Sequence, residues 1–443
     1  MKTPLLIFAI LSVFSLDNCP KEPTTNLAFQ SFVNSFGEGY SQLEIPSLQL
    51  SYVANFEAIQ EKEALDRQEV FFNDVQEQYA SFKTSNIPTA QYTDFLLIGH
   101  EITLNLERIS LEKAFLDNYP DRQIPDNGIY NIKDGKAWYQ YYLKKWLGAE
   151  VMPEALFDFG LYEVHVVADA IANIRQQTGM DEEAFFKHLD SPEFFVDDPS
   201  KVQEVYEQKR EIVNQKLDLL FHNPGVVPEV NIAKGDNAAL SQVPGYYSPL
   251  SGTFYYNLFD KPYNNRQYDL LFLHEGNPGH HFQSNIASML ELAEYRQHFS
   301  YYGYLEGWAA YVEELGALVG LYKTNWDHLG KWEWDQVRSI RVALDVGINY
   351  QGWTDDAALA FWQAYVPNQE DIAMREIKRM RNWPAQVHTY KYGAAKIIRL
   401  KSLYKDKKGA EFDIRDFHHA ILSKGPLPLE VLENVIKREL EII

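Results

Sequence analysis

Apolar residues recur at three- and four-residue spacing among charged ones over residues 53–83 and 91–117, the pattern of helices that bury one face. Pro120, Pro125, Gly128 and Gly135 interrupt it, so residues 119–136 are expected as loop or short extended structure. The helical pattern resumes over 136–147, 153–178 and 200–222. Asp181 before Glu182 and Glu183, and Asp198 before Pro199 and Ser200, read as helix starts, because a short acidic side chain can accept the unpaired amides of a first turn. Over 223–266 the character changes. Pro224, Pro228, Pro244, Pro249, Gly245 and Gly252 precede Thr253-Phe254-Tyr255-Tyr256-Asn257, a β-prone run. Beyond it the pattern is again mostly helical, with breaks near 323, 352, 367 and 384. No repeat of fixed period and no low-complexity tract occurs. The elements predict a mainly α protein with a small sheet, forming one catalytic unit over residues 27–443, in one or two lobes around a cleft.

With 443 residues and 46% apolar content, the chain can bury a large core, and its 14% aromatic residues help fill it. The formal net charge of −21 repels nucleic acid and anionic lipid surfaces, so neither is expected as a partner. The N-terminus changes the picture. Lys2 precedes an apolar run from Pro4 to Leu16, shorter than the ~20 residues that span a bilayer. Cys19, the one cysteine, follows almost at once. This is the layout of a secretory signal over residues 1–18, with Cys19 as a lipidation site and 19–26 as a polar tether. Asn18 stands where lipoprotein signals usually have a small residue. The expectation is an exported protein, periplasmic or held at the cell surface, that meets the membrane only through this anchor.

The chemistry concentrates in His274-Glu275-Gly276-Asn277-Pro278-Gly279-His280-His281, which follows the apolar stretch Leu270-Leu271-Phe272-Leu273. Imidazole and carboxylate groups in such a stretch cost desolvation unless they are paired or bind a metal. The common zinc motif sets two histidines four residues apart on a helix. Here the next histidines come six and seven positions on. An unbroken helix would put His281 on the face of His274. Pro278, however, lacks an amide donor and clashes with the carbonyl of His274, and a break there would carry His280 back instead. Glu306, in Tyr304-Leu305-Glu306-Gly307-Trp308-Ala309-Ala310-Tyr311, is a carboxylate on an otherwise apolar and aromatic helix. Two histidines and one glutamate leave a fourth position for water, the arrangement of a catalytic Zn2+ ion, with Glu275 as general base. Glu313, seven residues past Glu306, shares its face and would orient a ligand from behind.

The stretches His-Glu-x-x-Pro-Gly-His-His-x-Gln and Glu-Gly-Trp-Ala-x-Tyr-x-Glu resemble the large bacterial family known as domain of unknown function 885. That family in turn resembles helical zinc peptidases such as angiotensin-converting enzyme, the thimet-type oligopeptidases and carboxypeptidase Taq. Further matching segments, among them Phe159–Val164, Arg341–Gly347 and Tyr390–Gly393, keep the family order over roughly residues 130–440. The resemblance implies a zincin-like helical metallopeptidase fold, with a small sheet beside the active-site helix. It favours His280 as the second ligand beside His274 and Glu306. It places Thr253–Asn257, with Thr253 and Tyr255, as an edge strand that holds an extended peptide. It gives Tyr390 the developing oxyanion and Arg341 a substrate carboxylate. Two positions depart from the pattern: Asn349, expected to bind substrate by donating a hydrogen bond, stands where a histidine is common, and Met380 where a tyrosine is. The function implied is that of an exported zinc peptidase of carboxypeptidase or oligopeptidase type. The alternatives are another metal-dependent amide or small-carboxylate enzyme on the same fold, or a non-catalytic metal-binding lipoprotein.

Overall fold

Asn26 opens the first helix by accepting a hydrogen bond from the Phe29 amide, so the tether ends at a side-chain cap. The computed structural model describes residues 25–442, apart from 125–126, 242, 259–260 and 367–368. The expected leader, Cys19 and the tether up to residue 24 lie outside the described residues.

Helix α1 (Leu27–Ser41) buries Phe29, Phe32, Val33 and Phe36 along one face. The run read as one helical stretch over 53–83 is two helices, α2 (Tyr52–Glu57) and α3 (Lys62–Ala80). Between them Ile59 turns into the core, and its carbonyl takes a hydrogen bond from Arg122, a partner that spacing cannot reveal. Helices α4 (Thr89–Asn118), α5 (Gly135–Leu147) and α6 (Pro153–Thr178) follow the expected periodicity. Asp181 caps α7 (Glu182–Leu189) through the Ala184 amide, and Asp198 caps α8 (Pro199–Asn214) through the Ser200 amide. Each such cap is worth about 1 kcal/mol.

The Pro/Gly-rich region carries most of the strand structure. β1 (Phe195–Val196) pairs with β5 (Tyr263–Asn264). β2 (Asn231–Lys234), β3 (Gly245–Ser248) and β4 (Thr253–Tyr256) form a second sheet in the order β2-β4-β3, parallel on one side of β4 and antiparallel on the other. Thr253–Tyr256 is therefore the central strand and not the expected edge. Its main-chain groups are spent on both neighbours, with Ile232 opposite Phe254 on one side and Tyr247 opposite Phe254 on the other. The two edges of this sheet are β2, which packs against α8, and β3, which packs against the helix Tyr268–Glu275.

The second half is helical again: α9 (Tyr268–Glu275), α10 (His280–Ser288), α11 (Tyr302–Val312), α12 (Asn325–Asn349), α13 (Asp355–Tyr365), α14 (Glu370–Asn382), α15 (His388–Lys408), α16 (Ile414–Leu422) and α17 (Leu429–Glu439). Two close crossings fix the frame of the site. At Gly307 of α11 and Gly393 of α15 the backbones meet so tightly that a Cβ on Gly307 would lie 2.7 Å from the Gly393 carbonyl carbon. At Gly160 of α6 a Cβ would lie 2.6 Å from the Ala343 amide nitrogen of α12. Residues Arg338–Asn349 of α12 are all buried, enclosed chiefly by α6, α13, α14 and α15. Among the described residues no helix is long and apolar enough to cross a membrane.

Candidate metal centre

The segment after α9 turns back at Pro278-Gly279. Gly279 packs against the end of α9 so closely that a Cβ there would meet the His274 carbonyl oxygen at 1.9 Å, which excludes any other residue. The Pro278 carbonyl accepts a hydrogen bond from Trp308 Nε1 at 2.9 Å, tying the turn to α11. The chain restarts as α10 with His280 at its first position, facing the last turn of α9. The His274 and His280 rings meet edge-to-face, 4.9 Å between centroids at 85°. Glu306 of α11 completes the group: its Oε2 lies 3.4 Å from His274 Nε2 and 3.3 Å from His280 Nε2. The three ligand atoms all lie within 4.8 Å of one another.

His281 points elsewhere. Its Nε2 bonds the Pro228 carbonyl at 2.8 Å and its Nδ1 faces the Tyr247 hydroxyl at 3.2 Å. Burial pushes its pKa down, so it is a neutral core histidine with both ring nitrogens engaged. The break at Pro278 thus separates the two histidines by role.

Glu306 Oε2 is buried and, despite two imidazoles within 3.4 Å, has no hydrogen bond aligned to it. Burial alone would raise the Glu306 pKa; the facing His280 and His274 outweigh it and hold the carboxyl well below the usual range. Burial likewise opposes charge on His274, but the Glu306 and Glu313 carboxylates raise it to about 9. Glu313 accepts from His274 Nδ1 at 2.8 Å and from Arg338 Nη1 at 2.6 Å. Burial works against its charge too, but Arg338 and His274 keep it ionised. An ionised carboxylate only accepts hydrogen bonds, so His274 Nδ1 carries the proton. With a metal ion in place of the Nε2 proton, the ring would offer that lone pair between Glu306 and His280. Glu313 and Arg338 also line a cavity of about 230 Å³ with Glu163, Glu314, Lys331, Asp335 and Lys391.

Glu275, at the end of α9, is buried, and its carboxylate makes no hydrogen bond or ion pair among the described residues. With the Glu313 charge matched by Arg338, and with both imidazoles neutral as metal ligands would be, Glu306 and Glu275 would leave two negative charges for a cation to balance. That charge, two imidazoles and an unmet carboxylate oxygen fit one divalent cation, and the mixed N/O donor set suits Zn2+. His274, His280 and Glu306 would hold it.

Tyr390 of α15 stands over the group, its ring stacked on His274 at 6.1 Å and 22°. Burial and the Glu306 charge raise the pKa of its hydroxyl, which therefore keeps its proton. Arg338 and Arg341 flank the ring at 5.6 and 5.5 Å from its centroid. Sequence reasoning missed Arg338. An arginine in Val337-Arg338-Ser339-Ile340, one turn from Arg341 on a largely apolar helix, is the signal that could have found Arg338.

Residues 46–436 match the family described as "Bacterial protein of unknown function (DUF885)". The chain belongs to this family. Two solved structures share the fold. One is "the putative lipoprotein" from Colwellia psychrerythraea: TM-score 0.66, 21% identity, 96% of this chain and 78% of that one. The other is "a putative lipoprotein of unknown function" from Shewanella oneidensis: TM-score 0.58, 18% identity, 96% of this chain and 89% of that one. No functionally curated protein matches the chain.

Within this DUF885 chain, four expected substrate-binding assignments need correction. Thr253 and Tyr255 sit on the central strand; the Thr253 hydroxyl bonds Ser251 O, and the Tyr255 ring stacks on Tyr246. Asn349 is fully buried at the end of α12, and its Nδ2 bonds the Met380 carbonyl at 2.9 Å and Asp345 Oδ2 at 3.3 Å. The two departures from the family pattern therefore touch each other inside the core, away from the metal ligands. Arg341 is enclosed as well, bonded to Glu376 at 3.0 Å, so it lies behind Tyr390 and cannot meet a substrate directly.

Proposed function

We propose that this protein is a zinc-dependent peptidase of the helical metallopeptidase type, exported and anchored as a lipoprotein. The observation that carries the reading is the convergence of His274, His280 and Glu306 around a buried, unmet Glu306 oxygen, with the charge of the neighbouring Glu275 felt by His274. Bound there, a zinc ion would supply Lewis acidity toward a carbonyl oxygen and acidify a water molecule. The chain's own groups do the rest. Glu275 takes one proton from the attacking water and delivers it to the leaving amine as the peptide C–N bond breaks, which yields a carboxylate and an amine. Tyr390, kept protonated, donates a hydrogen bond to the oxygen that gains charge as water adds. The Glu313–Arg338 pair holds the His274 ring and its tautomer.

The substrate strand assigned to Thr253–Asn257 passes to β3. Asn257 N bonds Pro244 O, and alternation along the antiparallel pair then turns the main-chain groups of Gly245 and Tyr247 away from β4. An extended peptide can pair with that edge. Export rests on the signal-like N-terminus and on the lipoprotein descriptions of the two structural relatives.

The test is zinc content and hydrolysis of a peptide library in the wild-type chain and in Glu275→Gln. Both proteins should bind one zinc, and the variant should lose about 10²–10⁴-fold in kcat. Unchanged hydrolysis in Glu275→Gln would reject the mechanism.

A further inference from the structure

A second cavity, of about 340 Å³, lies between α2, α4, α5 and the start of α11, with residues 44–48 along one side. That is room for a small ligand or one large side chain. Part of its wall is aromatic. Phe56 and Trp138 meet edge-to-face at 4.8 Å, and Trp138 packs on Tyr141 and Tyr142 at 5.9 and 6.0 Å. Such a wall offers ring faces and edges to one further ring.

The polar part of the wall is matched in charge but not in hydrogen bonds. Arg108 donates to Glu112 at 2.7 Å, to Asn105 at 3.2 Å and to Gln68 at 2.6 Å. Lys145 and Glu44 add one charge of each sign. The cavity therefore suits an uncharged guest. Two phenol hydroxyls are left over. Tyr40 and Tyr141 are 9% and 5% exposed, and neither hydroxyl makes a hydrogen bond among the described residues. Burial raises the pKa of both, so both keep their protons, and both lie within range of the Arg108 charge. Enclosed hydroxyls without partners are costly unless a guest or a water meets them.

Tyr302 joins this cavity to the metal centre. It lines the cavity, half-buried, with its ring 5.0 Å from that of Trp146. It also stands one helical turn before Glu306 on the same face of α11. Burial and the Glu306 charge both act on its hydroxyl. Side chains so related are about 5–6 Å apart at Cβ. An extended chain advances about 3.3 Å per residue, so a residue beside a bond held at the metal reaches Tyr302.

We propose that this cavity is the specificity pocket of the centre and takes an uncharged aromatic side chain with a hydrogen-bonding tip, tyrosine before phenylalanine, from a residue beside the cleaved bond. The proposal rests on the peptidase reading above and adds the side chain it selects. The guest ring packs on Phe56 and Trp138, and its hydroxyl bonds those of Tyr141 and Tyr40.

The test is calorimetric binding of N-acetylated, C-amidated glycine pentapeptides with a central tyrosine, phenylalanine, alanine or lysine. The proteins are the full-length Glu275→Gln chain, which holds substrate without turning it over, and the same chain carrying Tyr141→Phe or Ala58→Trp. Circular dichroism checks that each variant is folded. The tyrosine peptide should bind about 10–100-fold more tightly than the alanine peptide. It should bind about three- to tenfold more tightly than the phenylalanine peptide. Tyr141→Phe should bring that second ratio to about one. The Tyr141 hydroxyl makes no hydrogen bond within the described protein, so a purely structural role predicts no change in the ratio. Ala58→Trp adds an indole to the cavity wall and should erase the preference over alanine. Equal binding of all four peptides, no binding of any, a preference for lysine, or a tyrosine-over-phenylalanine preference that survives Tyr141→Phe overturns the proposal. The two readings fail differently. Hydrolysis of the four peptides at equal rates by the wild-type chain removes the pocket and leaves the peptidase. Tyrosine-selective binding with no hydrolysis of any peptide removes the peptidase and leaves the pocket.

Discussion

Two buried histidine–carboxylate clusters each draw a residue from α15, and they differ in whether the carboxylate is fully met. Asp345 of α12 lies with His388 of α15 and Tyr139 of α5, all three fully enclosed. Asp345 Oδ1 accepts from the Tyr139 hydroxyl at 2.7 Å, faces His388 Nε2 at 3.1 Å and accepts from the Ala385 amide at 3.1 Å. Its Oδ2 accepts from Asn349 at 3.3 Å. This carboxylate is saturated, and its partners come from three separate segments, so it acts as a tie. Glu306, among His274, His280 and Tyr390, is just as rich in charged and aromatic neighbours, yet one oxygen has no aligned donor. His388 Nδ1 and Asn349 Oδ1 are themselves unmet in the tie, so it is the carboxylate that separates the two: both oxygens of Asp345 are bonded, and one of Glu306 is not.

The comparison can be broken by exchange of single residues. The largest effect is expected from Glu306→Ala, which should abolish stoichiometric zinc binding by elemental analysis. A chelator should lower the melting temperature of the wild-type chain and leave that of the variant unchanged. Asp345→Asn should do the reverse. It removes a charged acceptor from a buried network and should cost about 2–3 kcal/mol in denaturant unfolding, while the folded variant keeps its zinc. A melting temperature insensitive to Asp345→Asn would remove the distinction drawn between the clusters. Next comes Glu313→Gln, which weakens the grip on His274 Nδ1 and should lower zinc affinity about 10–100-fold in a competition titration. Smallest is His281→Gln. It trades hydrogen bonds to Pro228 and Tyr247, should cost about 1 kcal/mol of stability and should leave zinc affinity unchanged. Loss of zinc in His281→Gln would show that the wrong histidine has been placed at the metal.

Much of the secondary structure was legible because helices announce themselves locally. The caps at Asp181 and Asp198, the span of α6 and the breaks near 323, 352 and 384 follow from side-chain spacing and from turn residues within a few positions. The division of 53–83 was not, since Ile59 turns inward to a contact with Arg122. In the site, His274, Glu275 and Glu306 stood out as polar groups in apolar helices, and Glu313 by its spacing from Glu306. Arg338 did not, because an arginine on an amphipathic helix reads the same whether it faces water or a buried carboxylate.

By itself the sequence determined the mainly helical architecture, the family and the residue types able to bind a cation. The choice of His280 over His281 was narrowed by Pro278 but made by the turn that packs Gly279 against α9 and ties Pro278 to Trp308. Only the tertiary structure decided that Thr253–Tyr256 is a central strand, that Asn349 is core, and that Arg341 is closed off by its pairing with Glu376. The reason is common to all three. Strand order and side-chain access depend on partners tens to hundreds of residues away, whereas periodicity and capping depend on neighbours within one or two turns.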